Sequence, residues 1–307
     1  MKKNSSGTDN CSPGTIAKGN LGLSAADVND LLNGAIEMHV HGAPDIVPRK
    51  ASDIELLRDA KAAGIIGVML KCHATPTTVR AVLAQEAVGG VLAFGGIVLN
   101  QPMGGLNPLA VETELTLGAK AVWLPTQSAV NDIEFHKRIS LGTVPLFDEE
   151  GKFLPELHEI MELVAQKDVI LGTGHISYQE SEKVVALAKT KGVKKIVITH
   201  PEAPRINMPL QTMKELARQG VMFEWVAFNM TTLTAGRGKV PPEVYVRNIK
   251  AVGAEACVMA TDFGQVNNDS PAVGLAGFIR AMLDNGISPK DIRMMVRDNP
   301  LSLLGLR

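Results

Sequence analysis

Two histidines one residue apart, His39 and His41, stand at the end of an apolar run and just before a Gly/Pro-rich turn, in Glu37-Met38-His39-Val40-His41-Gly42-Ala43-Pro44-Asp45. Alternate residues of a strand point to one face, so the two imidazoles project side by side, with Val40 on the other side. Two neutral imidazoles so placed can bind one divalent metal ion. A hydrogen-bonded pair at a strand end would look the same. The chain has seven histidines, and five of them, His39, His41, His73, His175 and His200, fall at the carboxyl ends of apolar runs. Asp262 ends the last such run, in Ala260-Thr261-Asp262-Phe263-Gly264. Two or three imidazoles plus a carboxylate, with a position left open for water, describe a catalytic metal site rather than a structural one. Taken singly, His175 or His200 would more often be a hydrogen-bonded core residue, and Asp262 could cap a turn. The joint pattern is what carries the metal reading. His136 and His158 stand away from the strand ends and read as surface residues.

The elements that must bring these residues together are short, apolar and non-alternating runs, at 35–41, 65–73, 91–99, 119–126, 168–175, 194–200, 221–228 and 255–262. Each is followed by a stretch with helical signals. The pattern predicts helices over 53–63, ended by Gly64, over 77–88, opened by Pro76, and over 108–117, 155–167, 179–191, 209–219 and 242–251. Two more close the chain, over 272–285 and 289–297, and Ser24 is expected to cap a short helix before the first strand. Continuous apolar strands alternating with helices signal a parallel sheet covered on both faces. Eight of them fit a (β/α)8 TIM barrel in a single domain, α/β in class. A doubly wound open sheet is the other candidate, but His-Val-His-Gly-Ala-Pro occupies the place of its Gly-rich phosphate turn. Residues 144–154 break the rhythm and read as a small β-hairpin insertion between strands 4 and 5, turning at Glu150-Gly151. In a barrel the carboxyl ends of the strands converge on one face, so residues far apart in sequence would share one pocket.

Bulk composition excludes several function classes. The 307 residues carry 31 basic and 32 acidic side chains, for a net charge of -1, and only 4% are aromatic. Nothing here suggests a nucleic-acid surface or an anionic membrane. The three cysteines, Cys11, Cys72 and Cys257, are too few and too scattered for a disulfide framework, which points to a reducing compartment. Residues 1–22 form a polar stretch without the apolar core of a signal peptide, expected as a flexible N-terminal tail, and 23–307 as the catalytic barrel. No apolar run reaches the length of a bilayer span. The expectation is a cytoplasmic protein with a small-molecule substrate, no nucleic-acid or membrane partner, and room for a homo-oligomer.

The chain resembles the amidohydrolase superfamily of metal-dependent hydrolases. The matching residues are His39-Val40-His41 on the first strand, His175 on the fifth, His200 on the sixth and Asp262 on the eighth, and the closing Asp298-Asn299-Pro300-Leu301-Ser302-Leu303-Leu304-Gly305-Leu306 is similar to the end of many such chains. The likeness spans about residues 35–306. It implies His39 and His41 on a buried metal, His175 and His200 on a second, and Asp262 as ligand and proton acceptor. His-Gly-Ala-Pro-Asp, Leu-Lys-Cys-His and Thr-Asp-Phe-Gly look like an uncharacterised branch of that superfamily. Two departures stand out. Glu37 takes the place of the usual Asp before the first histidine. The fourth strand ends Trp123-Leu124-Pro125-Thr126 without the carboxylated lysine that often bridges two metals, since Lys120 is at its other end. Lys71, which alternates with His73 at the end of the second strand, is the substitute. Burying a lysine unpaired is costly, so it would become a carbamate bridge, pair with a carboxylate, meet the substrate, or snorkel to solvent at the barrel mouth.

The resulting expectation is a hydrolase that uses a metal-activated water to cleave an amide, lactone or ester bond of a small molecule. Asp262 acts as proton acceptor, and one or two divalent ions are bound, zinc first, with Mn, Fe or Ni as alternatives. His73, Arg49, Asn100 and Glu224 are the candidates for holding substrate. Gly236-Arg237-Gly238 has the composition of a lid, and Arg237 or Arg205 could meet an acidic group. A metal-dependent decarboxylase or lyase is the alternative, because the same constellation can polarise a carboxylate without hydrolysis. A non-catalytic metal-binding protein is the third.

Overall fold

The computed structural model describes residues 25–138, 142–232, 234 and 238–307. The expected tail, Ser24 and Arg237 lie outside them. Among the described residues the strands are β1 (Ile36–Val40), β2 (Gly67–Leu70), β3 (Leu92–Phe94), β4 (Gly96–Val98), β5 (Ala121–Trp123), β6 (Ile170–Gly172), β7 (Ile196–Thr199), β8 (Met222–Val226) and β9 (Cys257–Ala260). All pair in parallel, β1-β2-β3 in one sheet and β4 through β9 in sequence order in another. The chain is therefore an α/β protein of parallel sheets covered by helices. β3 runs into β4 with only Gly95 between them, and the far edges are linked by a parallel bridge between Val40 and Phe263.

Each of the eight predicted runs holds a strand, and the third holds two. The break has a local cause. A Cβ on Gly95 would lie 2.4 Å from the Thr77 carbonyl oxygen. The Thr77 hydroxyl donates to the Leu70 carbonyl (2.8 Å) and accepts from the Gly96 amide (3.0 Å). The strand bends to admit a helix end between it and β2.

Helices at Asp53–Ala62 and Tyr178–Thr190 begin with complete capping boxes, Ser52 with Glu55 and Ser177 with Glu180, each satisfying two amides that a helix end leaves open. Three differences from the expected elements appear. A helix at Val130–His136 was not signalled by the sequence, because it carries no N-terminal side-chain cap. The closing helix expected over 289–297 is instead Pro289–Arg293, then a π turn at Met294–Asp298, then Asn299–Leu303. In the expected hairpin the described residues form only an isolated antiparallel bridge, Phe147 to Phe153, with the turn closed by Asp148 and Lys152.

Apolar residues divide into two layers. A large cluster lies between strands and helices, with Val40, Leu70, Leu99 and Leu124 on the strand side. A smaller one gathers mostly strand residues, Ile36, Met38, Met69, Trp123, Ile170, Val197 and Val258 among them, with Leu303 from the last helix. Strict alternation would set Met38 opposite His39. Instead the pairing register of β1 with β2 slips by one residue between Glu37 and Val40. Such a bulge re-aims the side chains beyond it. Met38 packs in the smaller cluster, Val40 in the larger one, and the histidines stand above Met38 rather than behind it. The His39 amide, off the ladder at this slip, donates to Glu37 Oε1 (3.0 Å), which also accepts from the Thr261 amide (3.0 Å).

Candidate metal centre

The strand ends bring the singled-out residues to one place. His41 follows β1, Lys71 and His73 follow β2, His175 and His200 follow β6 and β7, Glu224 lies in β8 and Asp262 follows β9. The β9 end is fastened to the β1 end by two backbone bonds, His41 N–H to the Phe263 carbonyl (2.8 Å) and Asp262 N–H to the His39 carbonyl (2.9 Å). Gly264 allows this approach, since a Cβ there would sit 1.8 Å from the His41 carbonyl oxygen. Asp262 and His200 both adopt positive φ, +56° and +33°. For residues other than glycine this costs of order 1–3 kcal/mol and persists where surrounding structure enforces it, most often at functional sites.

His39 Nε2, His41 Nε2 and Asp262 Oδ1 form a triangle with sides of 3.2, 3.0 and 3.3 Å. The three residues make one group of possible metal ligands among the described residues. Zinc ligand atoms at ~2.0–2.1 Å in tetrahedral array lie about 3.3 Å apart, so the donor set fits a divalent ion. Glu224 Oε2 accepts from His39 Nδ1–H (3.1 Å), which leaves Nε2 as the lone-pair nitrogen facing the triangle. An outer carboxylate that fixes the tautomer of a ligating histidine is the usual support of such sites. Burial pushes the His41 imidazole down to about 4, so it is neutral and its lone pair available. Burial works to raise the Asp262 carboxyl, but His39, His41 and His200 outweigh that and hold it well below the usual carboxylate range.

The other two histidines stand across the pocket. Their ring centroids are 5.0 Å apart, and His200 lies 6.2 Å from His39. His175 Nδ1–H donates to Asp132 Oδ1 (2.8 Å), and its Nε2 accepts from Arg205 Nη2 (3.2 Å). The same Nη2 lies 3.3 and 3.4 Å from the two ring nitrogens of His200. Arg205 Nε is 3.3 Å from Asp132 Oδ1, and Arg138 pairs with the other oxygen of Asp132. Burial holds both imidazoles well below their ordinary range, with the Arg205 charge acting in the same direction.

The remaining expected residues have these surroundings. Lys71 Nζ is buried, has no hydrogen-bond partner and sits 5.0 Å over the Trp123 ring. Burial lowers it, while Glu224 and Asp262 pull it back up. His73 stacks 4.7 Å from His41 and bonds Thr126 Oγ1 (2.8 Å). Arg49 is paired with Asp45 (2.7 Å). Asn100 spends its amide on protein, donating to the His73 carbonyl and Thr126 Oγ1 and accepting from the Thr126 and Ser128 amides. Asn100 braces the rim through these bonds, and Glu224 Oε2 faces His39 Nδ1. His136, expected at the surface, is partly exposed and stands 3.7 Å from Asp132. A cleft of about 410 Å³ opens beside His73, lined by Ile46, Asn100, Gln127 and Gly142 among others. The residue that sequence reasoning missed is Asp132. It lies on the unpredicted helix, and its partners His175 and Arg205 are 43 and 73 residues away.

A family model described as "Family of unknown function (DUF6282)" matches residues 34–224. That span includes His39, His41, His175 and His200, with Arg205 and Glu224, but not Asp262. No curated protein matches the sequence. Among solved structures, the chain is similar to an amidohydrolase from Pseudomonas aeruginosa, with TM-score 0.63, 12% identity and coverage of 92% of this chain and 98% of that one. It is similar to a phosphotriesterase homology protein from Escherichia coli, with TM-score 0.59, 13% identity and coverage of 89% and 99%. It is also similar to a 2,6-dihydroxybenzoate decarboxylase from Rhizobium, with TM-score 0.51, 14% identity and coverage of 89% and 99%. The amidohydrolase resemblance of the histidine pattern is thus met in the fold.

Proposed function

We propose, for a chain that belongs to the DUF6282 family of unknown function, that it is a metal-dependent hydrolase of the amidohydrolase type, acting on an amide, lactone or ester bond of a small molecule. The observation that carries this reading is the triangle of His39 Nε2, His41 Nε2 and Asp262 Oδ1, with sides that suit a tetrahedral divalent ion. We read the strands as the eight staves of a (β/α)8 barrel, with β3 and β4 as one stave, since the edges meet through Gly95 and through the Val40–Phe263 bridge. The site then occupies the carboxyl end of the strands, where the chemistry of this architecture is done.

His39, His41 and Asp262 would hold the ion, with zinc as the first choice for a nitrogen-rich set. When bound, such an ion supplies Lewis acidity, acidifying water and polarising a carbonyl oxygen. The chain's own residues do the rest. Glu224 keeps the proton on His39 Nδ1. The Asp262 carboxylate, held ionised, accepts the proton of the attacking water and returns it to the leaving group. Lys71 acts as a buried cation over Trp123, drawn toward the Glu224 and Asp262 carboxylates. Substrate enters by the cleft beside His73, whose ring Thr126 and His41 hold in place.

A decarboxylase is the second reading, favoured by the likeness of fold to the 2,6-dihydroxybenzoate decarboxylase. One experiment separates the two. Zinc-reconstituted protein is incubated in 18O-labelled water with panels of esters, lactones, amides and small carboxylic acids. Hydrolysis puts one labelled oxygen into the acid product, whereas decarboxylation releases CO2 and leaves an organic product one carbon shorter with no labelled oxygen. Turnover must be lost in Asp262→Asn and on chelation. Turnover that survives both would sink the metal reading.

A further inference from the structure

We propose that the Arg205 guanidinium takes the place of a second metal ion beside His175 and His200, so that the centre holds a single divalent ion. The inference rests on the metal reading above and goes beyond it, since the family resemblance implies two ions and the expectation left one or two open.

Three observations carry it. First, the place a second ion would need is already taken: Arg205 Nη2 donates to His175 Nε2 (3.2 Å) and stands 3.3 and 3.4 Å from the two ring nitrogens of His200. Second, that position is built rather than incidental. Asp132, buried at the base of the helix Val130–His136, receives His175 Nδ1–H at 2.8 Å and stands 3.3 Å from Arg205 Nε, while Arg138 closes on its second oxygen. Asn131 donates to the carbonyls of both His175 (3.0 Å) and Arg205 (2.9 Å), tying the two backbones together. Third, the charge is already supplied. A guanidinium stays protonated under all ordinary conditions and carries its charge as a planar set of N–H donors. A dication added within contact of it, with Asp132 already shared by two arginines, would meet repulsion and no free carboxylate. The strand end at Trp123–Thr126 also has no lysine that could bridge two ions.

The test is metal stoichiometry, read by elemental analysis on protein purified without chelator and then equilibrated with excess zinc. Wild type is expected to saturate at one equivalent. Arg205→Met, which removes the charge and keeps much of the volume, is expected to gain a second. His200→Asn is expected to keep its one equivalent with affinity within about threefold of wild type. This variant leaves the Asp132–Arg205 pair intact, so the proposal stays open to refutation even where Arg205→Met does not fold. Two equivalents in wild type would overturn the inference and leave the metal reading standing. One equivalent in a folded Arg205→Met, or loss of the ion in His200→Asn, would also overturn it. No zinc in wild type would remove the metal reading itself, and the inference with it.

Discussion

The two histidine pairs of this pocket are close to copies of one another in shape and opposite in electrostatics. His39 and His41 have ring centroids 5.1 Å apart at 56°, and His175 and His200 have theirs 5.0 Å apart at 52°. The first pair converges on a carboxylate, and the second closes on a guanidinium held by another carboxylate. Ring geometry alone therefore does not make a metal site. What differs is the fixed charge that both rings of a pair contact. Beside the first pair the fixed charge is the anion Asp262, which attracts a cation. Beside the second it is the cation Arg205, which repels one.

The comparison can be broken most forcefully from the arginine side. Asp132→Ala leaves Arg205 and Arg138 in a largely buried place without their shared anion. Breaking a buried pair by removing one partner costs ~3–5 kcal/mol, so urea denaturation should show a loss of that order, with the fold retained at low denaturant. From the metal side, His41→Asn should abolish zinc retention, well beyond the roughly 10–100-fold that loss of an outer partner costs, measured by titration calorimetry. It should leave the Asp132–Arg205 pair in place.

A third prediction concerns pH. Burial pushes the Glu202 carboxyl, which takes the Asn229 amide at 3.1 Å, up to about 7. Its proton is therefore bound more tightly in the folded chain than in the unfolded one. Its contribution to stability is fully present below the unfolded value of 4.5 and is lost as pH rises through about 7. Each tenfold difference in proton affinity between the two states is worth about 1.4 kcal/mol, so thermal melts from pH 4.5 to 7.5 should show a decline of up to about 3 kcal/mol from this group. Glu202→Gln should flatten that part of the curve. If the slope were unchanged in the variant, another group would be its source.

The smallest effect sharpens the comparison rather than breaking it. Glu224→Gln keeps a hydrogen bond to His39 Nδ1 but removes the charge behind it. Zinc affinity should fall ~10–100-fold, with wild-type stoichiometry at saturation. An unchanged affinity would mean that Glu224 does not tune the first pair.

Much of this arrangement is legible in the chain itself. The eight apolar runs each appear as strand, because a strand buried on both faces must be apolar throughout and its helices must announce their ends. The donor residues are legible for the same reason. His39, His41, His175, His200 and Asp262 all stand at strand ends, and parallel strands carry their ends to one side whatever the details of packing. The β1 bulge was not legible, since the slip between Glu37 and Val40 depends on pairing with β2 and on the Glu37 carboxylate bonding the freed amide. Nor was the break at Gly95, which follows from the approach of Thr77.

The sequence by itself thus determined the architecture and the set of chemically competent side chains, because both rest on local pattern and on the polarity of parallel strands. Only the tertiary structure decided which of those side chains share a charge. Asp132, on a helix without a capping signal, meets His175 and Arg205 across 43 and 73 residues of chain. Electrostatic pairing falls off over a few ångströms of space and is indifferent to separation along the chain, so the division of four histidines into a pair facing a carboxylate and a pair facing a guanidinium exists only once the strands have brought them together.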